Sequence, residues 1–162
     1  HGCLVGSEMC IRDRIYSIPP DDPGGTAQQI GDGSRFIASI SSNTGGTWFI
    51  LDDGQLGMIE GTESPTLIDQ RVTGEVLTLS VGEEHVLVAS MSEFSYGGGP
   101  LIVQRFQITD GDLTAVGEAK TVADDALIGA ESLVWISDEL WFVAWTSGAG
   151  ELPQVRGRFI TL

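Results

Sequence analysis

The fold is decided by the stretch Ile136-Ser137-Asp138-Glu139-Leu140-Trp141-Phe142-Val143-Ala144-Trp145-Thr146-Ser147. An apolar residue enters a small acidic turn, and a nearly unbroken apolar run leaves it. The same order recurs without a gap from Val81 to Ser92, through Gly82-Glu83-Glu84 into His85-Val86-Leu87-Val88-Ala89-Ser90-Met91-Ser92. It recurs again from Ile30 to Ser41, through Gly31-Asp32-Gly33 into Ser34-Arg35-Phe36-Ile37-Ala38-Ser39-Ile40-Ser41. The closing serines stand roughly 50 residues apart, which marks a repeated supersecondary unit. Short runs of β-branched and aromatic residues, bounded by Gly, Asp, Glu and Ser, are read as strands. The near-continuous apolar content of Val86 to Met91 predicts burial on both faces. Ala38, Ala89 and Ala144 hold one place in the three copies, where a small side chain lets sheets approach. A bulkier residue there is expected to cost ~1–3 kcal/mol.

Working outward, a preceding strand is legible in two copies, Val76 to Val81 and Ser132 to Ile136, each meeting the next strand through a tight acidic turn. A following strand is legible in all three, as Trp48 to Leu51, Leu101 to Phe106 and Val155 to Ile160. Segment Thr121 to Glu131 carries Ala and Leu but also Asp124-Asp125 and Gly129, too interrupted for a helix. The pattern leaves open which strand comes first in a unit. Meandering four-stranded units of roughly 40–50 residues predict an all-β chain, a partial β-propeller of about three four-stranded antiparallel blades. The units fall near 30–75, 76–125 and 126–162. An open stack of this kind exposes strand edges, so a sticky fragment is expected.

Composition narrows the classes. Hydrophobic residues make up 41% of 162, enough for a globular core, and 22 glycines suit many turns. A net charge of −15 disfavours nucleic acid and anionic membrane surfaces as partners. No apolar run approaches the ~20 residues of a membrane helix. Cys3-Leu4-Val5-Gly6-Ser7-Glu8-Met9-Cys10-Ile11-Arg12-Asp13 resembles the translation of a transposase-type sequencing adapter. Residues 1–14 are therefore expected to be adapter-derived, as in a metagenomic fragment, with the propeller occupying 15–162. The only two cysteines fall in that run, so neither a disulfide nor a thiolate metal site is expected.

Ser41-Ser42-Asn43-Thr44-Gly45-Gly46-Thr47-Trp48 resembles the Asp-box, Ser-x-Asp-x-Gly-x-Thr-Trp, of sialidase-like and related repeat propellers. Ser41, Gly45, Thr47 and Trp48 match in register, and Asn43 stands where the family has Asp. An Asn or Asp side chain accepts backbone N–H groups in such a turn, Gly relieves the backbone, and the Trp ring anchors the hairpin. The resemblance implies a structural hairpin rather than a catalytic one. Aromatic-rich strands followed by Arg-Phe strands (Gln104-Arg105-Phe106, Gly157-Arg158-Phe159) are also similar to bacterial propeller arrays that are secreted or surface-exposed.

Candidate chemistry is sparse. By that resemblance a sialidase would need an arginine triad and a Tyr-Glu pair. The available residues are Arg35, Arg71, Arg105, Arg156, Arg158, Tyr16 and Tyr96, and none sits in the family's Arg-Ile-Pro context. His85 stands alone apart from His1, and a lone His at a strand start is ordinarily structural. Asp52-Asp53-Gly54 and Asp110-Gly111-Asp112 are oxygen-rich turns able to approach Ca²⁺, but they lack ligand spacing. Ordinary turns are the simpler reading, and no cofactor is expected. Trp141 and Trp145 share a strand face and can form a sugar-stacking platform, or equally a packed core. The reading that follows is a non-catalytic binding or interaction module of a secreted or surface propeller, for carbohydrate or protein. A sialidase-like glycoside hydrolase fragment is the alternative, and a purely structural repeat is a third reading.

Overall fold

The computed structural model describes residues 15–17, 28–30, 37–61, 65–91, 98–127, 132–137, 139–148 and 152–161. These residues form strands β1 (Ile15–Ser17), β2 (Gln28–Ile30), β3 (Ile37–Asn43), β4 (Gly46–Leu51), β5 (Gln55–Ile59), β6 (Thr66–Arg71), β7 (Glu75–Val81), β8 (His85–Met91), β9 (Gly99–Thr109), β10 (Asp112–Ala126), β11 (Ser132–Ser137), β12 (Leu140–Ser147) and β13 (Gln154–Thr161). No helix occurs among the described residues. The adapter-like run, Arg35, Phe36 and Tyr96 lie outside them.

All pairings are antiparallel. β1 and β2 pair alone, β3-β4-β5-β6 form a four-stranded sheet, and β11-β12-β10-β9-β8-β7 run through a seven-stranded sheet in which β13 also pairs with β12. The expected hairpins are present. Gly82 N–H donates to the His85 carbonyl at 2.7 Å in the β7–β8 turn, and Trp135 faces Trp141 across β11–β12. Asp110 and Gly111 adopt φ of 52° and 80°. Both central residues of this β9–β10 turn are therefore left-handed, the geometry that matches strand twist and suits Asp-Gly. The ambiguous segment from Thr121 continues as strand through Ala126, because its backbone pairs with β9 at Ile102, Leu101 and Gly99.

The larger sheet bends where β10 meets β12 at the single pair Ala126–Ser147. Leu127 N–H to the Thr146 carbonyl and Gly148 N–H to the Asp125 carbonyl tie the corner. Alternation then builds two cores. Val86 and Val88 of β8 face Trp48, Ile50 and Leu56 of the smaller sheet. Leu87 and Ala89 face the opposite way, against Trp141, Val143 and Trp145 of the β11–β13 arm. Strand β8 is thus apolar on both faces because a sheet lies on each side of it. Full burial of each large side chain contributes on the order of 1.5–3 kcal/mol.

The second and third stretches hold the same place in their hairpins, β8 between β7 and β9 and β12 between β11 and β13. Val86 and Trp141 face the preceding sheet, while Leu87 and Phe142 face away from it. Copy one is a strand out of phase. β3 is the first strand of its sheet and packs on β7, whereas β8 and β12 are second strands. Ala38 is accordingly exposed on β3, unlike the fully buried Ala89. A five-residue alternating string such as Ile37 to Ser41 fits any amphipathic strand, so its pattern carries no phase.

First strands carry a second kind of bond. Leu79 N–H donates to Ser39 Oγ at 3.1 Å, and Val81 N–H donates to Ser41 Oγ at 3.3 Å. Trp135 N–H likewise donates to Ser80 Oγ at 3.2 Å. Strands β7 and β11 are sheet edges, so the serine hydroxyls satisfy amides that no strand pairs.

Candidate functional site

The Asp-box-like segment forms the β3–β4 hairpin. Asn43 Oδ1 accepts from Gly45 N–H at 2.9 Å and from Gly46 N–H at 3.1 Å. Ser42 and Thr47 hydroxyls lie 2.9 Å apart, and Trp48 is buried in the first core. Asn43 Nδ2 donates to the Gly82 carbonyl at 2.6 Å. That bond reaches the β7–β8 turn of the next sheet. A carboxylate has no proton to donate there, which gives Asn a physical reason to occupy this position. Ser41 caps Val81 N–H, so every named residue of the segment is used in building the fold.

Trp141 and Trp145 do share a face, and that face is the second core. They are 0% and 6% exposed, so neither ring is open to a ligand. Sequence alternation correctly placed them together and carried no information on which side of the sheet is covered. His85 is half-buried at the start of β8. In the Asp52-Asp53-Gly54 turn, Asp53 Oδ1 accepts from Gln55 N–H at 3.1 Å and its Oδ2 pairs with Arg71 at 3.1 Å. Among the described residues no group of three or more His, Cys, Asp or Glu is placed to hold a metal.

A cleft of about 290 Å³ lies where the end of β6 and the connector to β7 pass the β8-β9-β10 surface. Its apolar part includes Val72, Ile102 and Phe106, and its polar groups include Gln70, Arg71, Thr73 and Gln104, with Ser90 buried beneath. Strand alternation puts Ser90, Ile102 and Gln104 on the same face as the first core, beyond the point where Phe106 closes it. Val72 N–H donates to the Gly54 carbonyl at 2.9 Å, and this fixes the connector. A Cβ on Gly54 would stand 2.1 Å from the Val72 carbonyl oxygen, so only glycine fits. Arg71 is held by Asp53 and by Gln55 Oε1 at 3.5 Å. Gln104 Nε2 donates to the Arg105 and Gly117 carbonyls at 3.2 and 3.4 Å. Its amide oxygen has no partner among the described residues.

Such a lining offers amide, guanidinium and hydroxyl groups over an apolar floor. It carries no carboxylate, imidazole or thiol. The signal that could have found the cleft is the pair Gln70 and Gln104, polar residues at inward-facing strand positions, but a single Gln in a strand is too common to stand out. No helix long and apolar enough to cross a membrane occurs among the described residues. Compared with protein-family models and with curated proteins, the chain has no match.

Proposed function

We propose that this chain is a non-catalytic binding module, built from successive blades of a β-propeller in a secreted or surface protein, and that the cleft beside Gln104 takes a neutral, hydroxyl-rich ligand such as a carbohydrate. Support for the propeller comes from the succession of first strands. β3 packs on β7 and β7 on β11, with hydroxyl-to-amide bonds at both steps, as expected for inner strands ranged about one axis.

The observation that carries the binding reading is the lining of the cleft. The amides of Gln70 and Gln104, the Arg71 guanidinium and the Thr73 hydroxyl, beside the half-buried Ile102, match the alternating polar and apolar surface of a sugar ring. Glycoside hydrolysis needs a pair of carboxylates about 5–10 Å apart. Acyl or phosphoryl chemistry needs a base or nucleophile within reach. The lining holds no carboxylate pair and no base to activate its hydroxyls.

The test is a neutral-glycan array followed by calorimetry, with hydrolysis assays on the same glycans. Expected are hits that weaken at least about tenfold in Gln104→Ala, with no turnover. Release of sugar from any glycoside would overturn the non-catalytic reading. An empty array would overturn the carbohydrate assignment.

A further inference from the structure

Two clefts mark where the sheets part: the one beside Gln104, and a second of about 330 Å³ between β10 and β13. Away from them the smaller and larger sheets touch through the first core. At the rim of that core lies a side chain whose chemistry can change. Met58 of β5 stands opposite Trp48 of β4 and Thr66 of β6, and it packs against the core from outside.

Two glycines leave room for its thioether. A Cβ on Gly46, in the β3–β4 turn, would stand 3.5 Å from Met58 Cγ and 3.6 Å from Sδ. A Cβ on Gly111, in the β9–β10 turn, would stand 3.3 Å from Met58 Cε. Neither glycine has a side chain, so the thioether lies against bare backbone at both turns. Its methyl group is thus a point at which the smaller sheet touches the β9–β10 turn of the larger one. Exposure separates Met58 from Met91, the other methionine among the described residues. Met91 is 0% exposed in β8, whereas Met58 is half-buried. Oxidation of a thioether follows its access to oxidant, and the product is polar where the thioether was apolar.

We infer that Met58 is a reversible oxidation site, taken by a peroxide-class oxidant, at the joint between the two sheets. A sulfur lone pair attacks one oxygen of hydrogen peroxide, so that an S–O bond forms and the O–O bond breaks. The departing hydroxide takes up the proton of the transferred oxygen. Sulfur is oxidised by two electrons to the sulfoxide, and the peroxide is reduced to water. The new oxygen requires water or a hydrogen-bond donor. Gly46 N–H is already engaged by Asn43 Oδ1. Hydrating the sulfoxide therefore draws the side chain outward, its methyl leaves Gly111, and the rim of the core beside Trp48 opens. Reduction by a sulfoxide reductase with a dithiol restores the thioether.

The experiment treats the folded full chain with hydrogen peroxide and follows Met58 and Met91 by peptide mass mapping, with thermal melting of the same samples. Met58 sulfoxide should form at least about tenfold faster than Met91 sulfoxide, and the two rates should converge in urea, where the fold no longer shields either. Protein oxidised at Met58 should melt about 2–4 °C lower, and methionine sulfoxide reductase should return the parent Tm. Met58→Leu keeps an apolar side chain of similar volume and should melt like the parent, with no shift after peroxide. Met58→Gln places a polar group of similar length there and should melt below Met58→Leu without any oxidant. Equal rates for Met58 and Met91 in folded protein would overturn the site. Oxidised Met58 with an unchanged Tm would overturn its place at the joint. A peroxide shift of the same size in Met58→Leu would trace the loss to another residue and overturn it as well. Failure of every glycan to bind would leave this inference standing, because its test reads the joint and not the cleft.

Discussion

Replacing Asn43 with Asp changes one atom and tests whether the Asp-box-like hairpin serves the hairpin or the joint between sheets. Oδ1 bonds to Gly45 and Gly46 at 2.9 and 3.1 Å survive the change, since a carboxylate oxygen accepts equally well. What is lost is the 2.6 Å donation from Nδ2 to the Gly82 carbonyl. A neutral hydrogen bond contributes a net ~0.5–1.5 kcal/mol, and an acceptor left facing another acceptor adds a penalty of similar size. The site is only partly buried, so water relieves some of that penalty. The expected destabilisation of Asn43→Asp is therefore about 2 kcal/mol. Asn43→Ala removes all three bonds and should cost at least as much. Urea unfolding followed by tryptophan fluorescence gives both values, with an unchanged m-value showing that only stability moved. The reasoning fails if Asn43→Asp matches or exceeds the parent while Asn43→Ala is destabilised, because the local turn alone would then explain the residue.

Three further substitutions probe the sheet contacts by the same assay. Ser39→Ala and Ser41→Ala strip acceptors from Leu79 and Val81 N–H, and each should cost about 1 kcal/mol. Gly82→Ala would set a Cβ 2.5 Å from Trp135 Nε1, so the indole must shift, at about 1–3 kcal/mol. Two glycines under phenylalanine rings should behave differently. Gly57→Ala drives a Cβ to 2.3 Å from the ring of Phe49, which is 1% exposed and has nowhere to go, and should cost about 2–3 kcal/mol. Gly157→Ala meets Phe142 at 2.4 Å, but that ring lies half-buried on an open face and can swing away, so less than about 1 kcal/mol is expected. Equal costs for the two glycines would contradict this account of the open face.

Legibility in the sequence followed the physics of each element. The β7–β8 and β11–β12 hairpins were readable because a Gly/Ser-acidic turn between two apolar runs admits one local solution. The strand character of Thr121 to Ala126 was not, since Ala and Asp have no strand preference and β9 alone holds them extended. The phase of β3 was hidden for the same reason that its serines matter. Ser39 and Ser41 look like solvent-facing residues of a half-buried strand, yet they bond amides roughly 40 residues downstream. Trp141 and Trp145 were paired correctly by alternation, and their burial depended on β8 and β9 closing over them. Neither cleft carried a signature, because both arise from gaps between strands rather than from a run of residues.

Those gaps and the serine bonds are two sides of one construction. Sheets that touch face to face must either continue pairing at their edges or satisfy the edge amides in another way. At the first strands, hydroxyls of Ser39, Ser41 and Ser80 do this without a ladder, so neighbouring sheets sit close there without merging. Away from the first strands no such bond occurs among the described residues, and β10 is bent out of register around Gly117. The sheets therefore diverge, and the space between them opens beside β6 and again beside β13. The clefts in this chain follow from that wedge: the serines hold its narrow side, and the wide side leaves open space beside Gln104 and Arg158. Adding ladder pairs along β10, by restoring an unbulged register in place of Val116 to Lys120, should close the β10–β13 cleft and raise the urea midpoint of unfolding.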